Sequence, residues 1–277
     1  MMLTIRAVSL ALAFGVTGVP VASGQSMLAE VMARHGVMAP AGNFERAFDE
    51  GMTPSTPVTP GSFATPLALM ASATGNDRIA AAYAFGILAG RSGRAASLQE
   101  LAAAGQALVQ MIGDADRRSR IAGARVAGRV FALPFDARTA MVLPEGLIDA
   151  LFAQLNRDHE IDQLVAMDAL GLTRTVTAVT ALTDRYFFYR SAGKRALAGG
   201  ALEALVRIGD PSTIEIVKVL VSDKWSQGRD ATALAVVFAR ERMLKDGSVA
   251  GIREALDDRS RRFQALGYLA ELGVAAQ

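Results

Sequence analysis

Two stretches of the chain repeat each other: DRIAAAYAFGILAG (residues 77–90) and SRIAGARVAGRVFA (residues 119–132). The tripeptide Arg-Ile-Ala lies near the start of both, and the matching glycines, Gly86 and Gly128, are 42 residues apart. A period of this length is typical of helical repeat proteins, in which each unit buries its apolar face against the next one.

The same register continues along the chain and yields six units. The further units centre on Gly171, Val206, Val237 and Gly267, with successive spacings of 43, 35, 31 and 30 residues. The position two residues before each centre is small or apolar in all six units, and its occupants are Ala84, Val126, Ala169, Ala204, Ala235 and Ala265. Because Ala and Gly alternate with larger apolar residues at helical spacing, we expect neighbouring helices to approach closely.

A second amphipathic segment follows several centres and is expected to supply the other wall of each unit. These segments are residues 98–113, 144–155, 211–221 and 248–258. Pro144 and Pro211 suit a first helical turn, and such pairs of helices would bury a continuous core when stacked. The alternative is an ordinary helical bundle whose units resemble one another through chance runs of Ala and Leu.

The composition supports helix and excludes several classes of function. The chain is 51% hydrophobic but only 6% aromatic, and the β-branched runs of a β-sandwich are scarce, so we predict an all-α fold. The net charge of +2 predicts no nucleic-acid partner. Without any cysteine, the chain has no disulfide, thiolate metal site or catalytic thiol.

The N-terminus has the pattern of a signal peptide. Arg6 precedes an apolar run over residues 7–19, and Ala22 and Gly24 occupy the small-residue positions before a cut at Gln25. We therefore predict a signal peptide over residues 1–24 and a periplasmic or secreted protein with no transmembrane span in the mature chain. The alternative is that the segment stays attached as an N-terminal anchor.

Residues 25–62 are predicted to hold a short helix, near residues 26–35, followed by a flexible or wrapped linker. The linker prediction rests on prolines set among Gly, Ser and Thr, namely Pro40, Pro54, Pro57 and Pro60. We assign residues 63–277 to the repeat domain, because helical segments separated by short breaks follow one another there.

Two segments carry the repeat pattern best: ALEALVRIGDPSTIEIVKVLVSD (residues 201–223) and ALDDRSRRFQALGYLAELG (residues 255–273). In four of the six units an arginine lies eight residues before the centre, at Arg78, Arg120, Arg229 and Arg259. In these features residues 63–277 resemble the HEAT-repeat family, especially the short HEAT-like repeats of the phycobilisome-lyase type. They depart from it in the longer first units and in the valines at two centres.

The resemblance implies an α-α superhelix, a solenoid of about six antiparallel helix pairs whose second helices line a concave face. The usual role of such a face is to bind proteins or peptides. We therefore expect an exported scaffold without catalytic activity. The alternative that the resemblance suggests is a lyase-like enzyme holding a bulky ligand such as a tetrapyrrole in the groove, and a third possibility is a purely structural spacer.

No catalytic apparatus, metal site or cofactor is predicted. The only histidines are His35 and His159, and no nucleophile elbow, phosphate-binding loop or zinc-protease motif occurs. His159 lies among Asp158, Glu160 and Asp162, which could ligate a divalent metal. The simpler reading is that this acidic group caps the helix that begins there.

Two surfaces are candidates for binding a partner. In DRYFFYRSAGKR (residues 184–195) four consecutive aromatics cannot share one helix face, so one or two should be exposed, and the expected contacts are Arg185, Tyr186, Tyr189 and Arg190. The competing reading is that these rings plug the junction between units three and four. The second surface is a basic stripe, Arg118, Arg125 and Arg129, that either grips an anionic partner or is a solvated outer face, whereas Arg120 is assigned to a ladder between units.

Overall fold

The structure is a computed structural model, and it describes residues 23–39, 43–59, 61–133 and 142–208 together with Leu266. All regular structure in these residues is helical, which confirms the all-α prediction. Ten α-helices are described: α1 Gly24–Arg34, α2 Phe44–Asp49, α3 Ala64–Ser72, α4 Gly75–Ala89, α5 Leu98–Ile112, α6 Arg117–Val130, α7 Leu147–Leu155, α8 Glu160–Leu172, α9 Val179–Ser191 and α10 Arg195–Ile208. Short 3₁₀ turns lie at Arg91–Gly93 and Val176–Ala178.

Side-chain caps mark the starts of several helices. Ser97 and Glu100 form a reciprocal capping box at the start of α5. At the start of α6 the Asp116 carboxylate accepts a hydrogen bond from the backbone N–H of Arg118. These contacts satisfy amide groups that have no partner inside the helix, and they define where each helix begins.

From α3 onward the helices pack in two rows. In the first row α4, α6, α8 and α10 follow one another, each packed against the next, and α3, α5 and α7 are packed in the same way in the second row. Across the rows, α3 packs on α4, α5 on α6, α7 on α8 and α9 on α10. The principal contacts of these helices are therefore with the next helix along the chain or with the next but one.

The pairing of helices differs from the one expected from the sequence. The sequence pairs residues 77–90 with the segment that follows them, but α5 packs principally on α6 rather than on α4. The cause lies in the connection after α4, where Gly90 adopts a φ of 70° and the turn Arg91–Gly93 packs against α6. The turn thus carries the chain to the α6 side before α5 begins.

The small residues at the unit centres lie where neighbouring helices of the first row meet, as the sequence predicts. A Cβ atom built on Gly128 would lie 3.0 Å from the Cα of Ala169, and one built on Gly171 would lie 2.9 Å from the Cα of Ala204. The centre of one unit thus packs on the small-residue position of the next. Side chains larger than hydrogen would push these backbones apart.

Side chains also connect equivalent positions of successive first-row helices. Four pairs of side chains in contact are separated by 42 residues, namely Asn76–Arg118, Tyr83–Arg125, Arg117–His159 and Arg120–Asp162. The first two join α4 to α6, and the last two join α6 to the start of α8. The spacing of 42 residues between the first two centres therefore recurs in the contacts between these helices.

The N-terminal part of the described chain covers α4. Helix α1 corresponds to the expected short helix, and α2 lies in the stretch for which composition predicted a linker. Both pack against α4, and Phe44, Ala47 and Phe48 of α2 are buried. A six-residue helix has too weak a periodicity to be recognised in the sequence, and its burial depends on the apolar surface that α4 supplies.

Some of the sequence predictions lie outside the described residues. These are most of the signal peptide and the units centred on Val237 and Gly267. Within the part that the structure describes, no helix has the length and apolar character needed to cross a membrane.

Candidate functional site

Four arginines converge on an open recess of about 410 Å³ at one edge of the first row. We call this site the arginine recess and define it by Arg91, Arg125, Arg129 and Arg207. Its wall also contains Phe48, Gly51, Ala132, Asp168 and Leu172. These residues come from α2, from the turn after α4, and from α6, α8 and α10 or the residues just after them, so the recess extends along three consecutive first-row helices, α6, α8 and α10.

Arg125 and Arg129 are four residues apart on α6 and therefore lie on one helix face. Arg125 forms ion pairs with Glu45, at 3.3 Å, and with Asp49, and both carboxylates belong to α2. It also donates a hydrogen bond to the hydroxyl of Tyr83, whose pKa is raised by burial. Arg125 is thus engaged within the protein and fastens α2 to the first row.

Arg129 has a different environment. Its guanidinium lies 4.7 Å from the centre of the Phe48 ring, and its Nη1 donates to the backbone carbonyl of Phe48 at 3.2 Å. No carboxylate of the described residues lies within 4.0 Å of it. Burial, and then the like charge of Arg91, lower the pKa of Arg129, although a guanidinium stays protonated at neutral pH.

Arg207 forms the far wall of the recess. It lies in the last turn of α10 and pairs with Asp168 of α8 and, at 2.9 Å, with Glu203 one helical turn earlier. The pair with Asp168 connects two neighbouring helices of the first row. It also places a carboxylate at the edge of an otherwise basic surface.

The basic stripe predicted on α6 is divided in the structure. Arg125 and Arg129 line the recess, whereas Arg118 lies in the first turn of α6, is exposed, and donates to the side chain of Asn76 at 3.0 Å. The spacings of seven and four residues place the three on one face, but helix length separates Arg118 from the other two. Only two of the three therefore contribute to one site.

The aromatic segment of α9 presents a different surface from the one expected. Tyr186 and Tyr189 are 2% and 0% exposed and belong to the core, whereas Phe187 and Phe188 are 46% and 56% exposed. The expectation that one or two of the four rings are exposed is confirmed, but the tyrosine rings face inward. Positions 182, 186 and 189 follow the spacing of a buried helix face, and the two phenylalanines fall outside that face.

The arginines of this segment are half-buried. Arg185 donates to the side chain of Asn156 and lies 6.0 Å from the ring centres of both Phe188 and Tyr189. Arg190 lies next to Tyr189 on the same helix. These contacts fit the reading in which the segment closes the junction between units better than the reading in which its tyrosines face a partner.

Arg120 and Asp162 form a buried ion pair, as the ladder between units predicts. The Arg120 Nε and Nη2 atoms donate to the two Asp162 oxygens, each at 3.0 Å, and the Asp162 carboxylate also accepts from Gln154 at 3.2 Å. Arg78, the equivalent residue one unit earlier, pairs with Asp114 at 3.5 Å. The arginine column of the repeat is thus structural in these two units.

The helix that begins beside His159 is capped by His159 itself and not by the acidic residues around it. His159 is the N-cap of α8, and its Nδ1 accepts from the backbone N–H of Ile161 at 3.3 Å. Asp162 points inward to Arg120, and Glu160 pairs with Lys194 at 3.3 Å. Because these side chains diverge, they do not form a ligand set, and no group of three potential metal ligands occurs among the described residues.

A second recess, of about 510 Å³, lies beside the end of α1. The His35 Nε2 atom lies 2.9 Å from the Ser62 hydroxyl, and the backbone N–H of Ser55 donates to the His35 carbonyl at 3.0 Å. These contacts fasten the loop after α2 to the C-terminal end of α1.

Two members of the arginine recess, Arg91 and Arg207, were not singled out in the sequence. They are 116 residues apart, since 207 minus 91 is 116, and neither is part of a motif. Only the stacking of α4, α6, α8 and α10 brings them to one surface. The only feature of the sequence that points to a basic surface in this region is the stripe of arginines on α6, and it does not indicate which other arginines lie beside it.

Comparison with known proteins does not assign the chain to a family. No family model matches it, and no curated protein matches it.

Proposed function

We propose that the chain is an exported, non-catalytic scaffold of the HEAT-repeat type, an α-α superhelix of about six helix pairs, that binds a protein or peptide partner. The observation that carries this proposal is the arginine recess, whose walls come from three consecutive first-row helices, α6, α8 and α10, together with α2 and the turn after α4. A surface that extends along a stack of helices suits an elongated partner segment.

The chemistry of the recess supports binding rather than catalysis. A guanidinium offers up to five N–H donors in a fixed plane, but it does not exchange protons near neutral pH and is therefore a poor general acid or base. The groups that face one another here are arginines, one aspartate, an aromatic ring and small or aliphatic residues. Arginine and aromatic residues are common anchors of protein interfaces.

The proposal is tested by crosslinking from inside the recess. Because the chain has no cysteine, the single thiol of Leu172→Cys can be labelled with a photoactivatable benzophenone at one position. Leu172 lines the recess, whereas Leu98→Cys provides a matched control on an exposed site at the start of α5. After irradiation in an extract of the native cell envelope, we expect a discrete protein adduct from the Leu172 position only.

Equal adducts from both positions would indicate nonspecific labelling and would contradict the proposal. The absence of any adduct from Leu172→Cys, with the folded state verified by circular dichroism, would contradict it as well.

A further inference from the structure

We propose that the arginine recess is a carboxylate-binding site, in which Arg129, supported by Arg91, holds an acidic side chain of the partner segment. This inference rests on the proposed function and specifies the chemistry of the partner.

The geometry of Arg129 leaves most of its donors for a ligand. One of its N–H groups donates to the Phe48 carbonyl, and its guanidinium carbon lies over the Phe48 ring, 4.7 Å from the ring centre. A guanidinium has five such donors, so this contact orients the group and leaves its other N–H donors for a ligand. The Arg129 side chain is half-buried and packs on the Phe48 ring, so it is already restricted before an anion binds. It therefore loses less rotational freedom on binding than a fully exposed arginine would.

The charges around Arg129 point to an anionic ligand. Arg125 is compensated by two carboxylates of α2, and Arg207 is compensated by Asp168 and Glu203. Arg129 has no such carboxylate among the described residues, and the charge of Arg91 acts on it with the same sign. An added carboxylate would relieve this repulsion in a partly desolvated place, where a charge-assisted hydrogen bond is stronger than in water.

The size of the recess and its existing contacts favour an acidic peptide segment over a small free anion. The recess has a volume of about 410 Å³, within the range of about 300–1,000 Å³ that is typical of ligand pockets, so a side chain with part of its neighbouring residues fits. Two other arginines of the recess, Arg125 and Arg207, are already paired with carboxylates of Asp and Glu. A carboxylate of the partner would therefore pair with Arg129 in the same way that the carboxylates of α2 pair with Arg125.

The test measures binding of a fluorescently labelled short polyglutamate peptide to the purified full chain by anisotropy. We expect saturable binding that weakens with added salt, and no binding of a polyglutamine peptide of the same length. Arg129→Gln should weaken the affinity for polyglutamate by roughly tenfold or more, the usual effect of losing a hydrogen bond to a charged group. Arg118→Gln removes the same charge from the same helix outside the recess and should leave the affinity within about twofold.

Because Arg129 also contacts Phe48, the melting temperature of each variant is measured alongside binding. If Arg129→Gln does not fold, Arg129→Lys keeps the charge without the planar fork, and Arg91→Gln removes the second charge; both should weaken binding. Equal affinities for polyglutamate and polyglutamine, or equal losses in Arg129→Gln and Arg118→Gln, would overturn the inference. Displacement of the peptide by inorganic phosphate at concentrations where acetate has no effect would also overturn it, because the site would then select a free phosphate.

The two proposals can fail separately. A protein adduct from Leu172→Cys without polyglutamate binding would retain the scaffold and reject the carboxylate site. Polyglutamate binding that depends on Arg129 without any protein adduct would reject the scaffold.

Discussion

At the scale of single residues, the clearest constraint is the charge buried at Asp162. The carboxylate is fully buried, and burial alone would raise its pKa, but the hydrogen bonds from Arg120 and Gln154 outweigh burial and hold the pKa below its usual value. A carboxylate whose pKa is lowered by folding stabilises the folded state at neutral pH. That contribution is lost as the pH falls through the lowered pKa.

Replacing Asp162 by asparagine should therefore destabilise the protein at neutral pH, by about 3–5 kcal/mol, because the Arg120 charge remains buried without its partner. Between neutral pH and pH about 3 the free energy of unfolding should fall less in Asp162→Asn than in the unmodified chain, since one titrating group is gone. Urea denaturation at several pH values measures both effects. The double variant Arg120→Met, Asp162→Leu should recover part of the loss, but not all of it, because Arg120 also donates to the carbonyls of Asp114 and Ala115. An unchanged pH dependence in Asp162→Asn would contradict the assigned role.

At the scale of the helices, close approach depends on residues without a side chain at the crossing points. Gly171 of α8 faces the backbone of Ala204 of α10, and an added methyl would lie too close to that backbone for side-chain rearrangement to relieve the contact. Gly199 of α10 is also helical, but no atom of the described residues lies within 4 Å of the position its Cβ would take. Replacing each of these two glycines by alanine therefore distinguishes the effect of packing on stability from the effect of helix propensity.

Gly171→Ala should lower the free energy of unfolding by about 1–3 kcal/mol, the usual cost of overpacking. Gly199→Ala should raise it by about 0.5–1 kcal/mol, because alanine loses less conformational freedom in a helix than glycine. Chemical denaturation of both variants measures the difference. Stabilisation by Gly171→Ala would show that α8 and α10 do not approach as closely as the structure indicates.

At the scale of the whole molecule, the first helix of the stacked row needs a cover. Residues Ile79–Ala89 of α4 are all buried, and α1 and α2 contribute to their burial. The end of a helical stack would otherwise expose an apolar face, which repeat proteins usually protect with a capping element. Helix α2 packs on α4 with Phe44 and Phe48 buried, and Arg125 and Arg129 hold it in place.

Phe44→Ala should therefore lower the free energy of unfolding by about 3–5 kcal/mol and speed amide hydrogen exchange in α4. Phe187→Ala is the matched control, since that ring is half-exposed on α9, and it should change the stability by no more than about 0.5 kcal/mol. Hydrogen exchange followed by mass spectrometry locates the effect. Faster exchange throughout the described helices, with no preference for α4, would show that α2 is not a local cap.

Sequence alone determined the helical class, the 42-residue spacing of the first two centres and the small residues at the helix crossings, because these depend on local propensity and on spacing along the chain. It also placed Arg120 in the ladder between units, since its column recurs. Tertiary structure decided which helix pairs with which, that α2 is buried, that Tyr186 and Tyr189 face inward, and that Arg91 and Arg207 meet Arg129 in one recess. Each of these depends on surfaces brought together from distant parts of the chain, and no local pattern encodes which surfaces will meet.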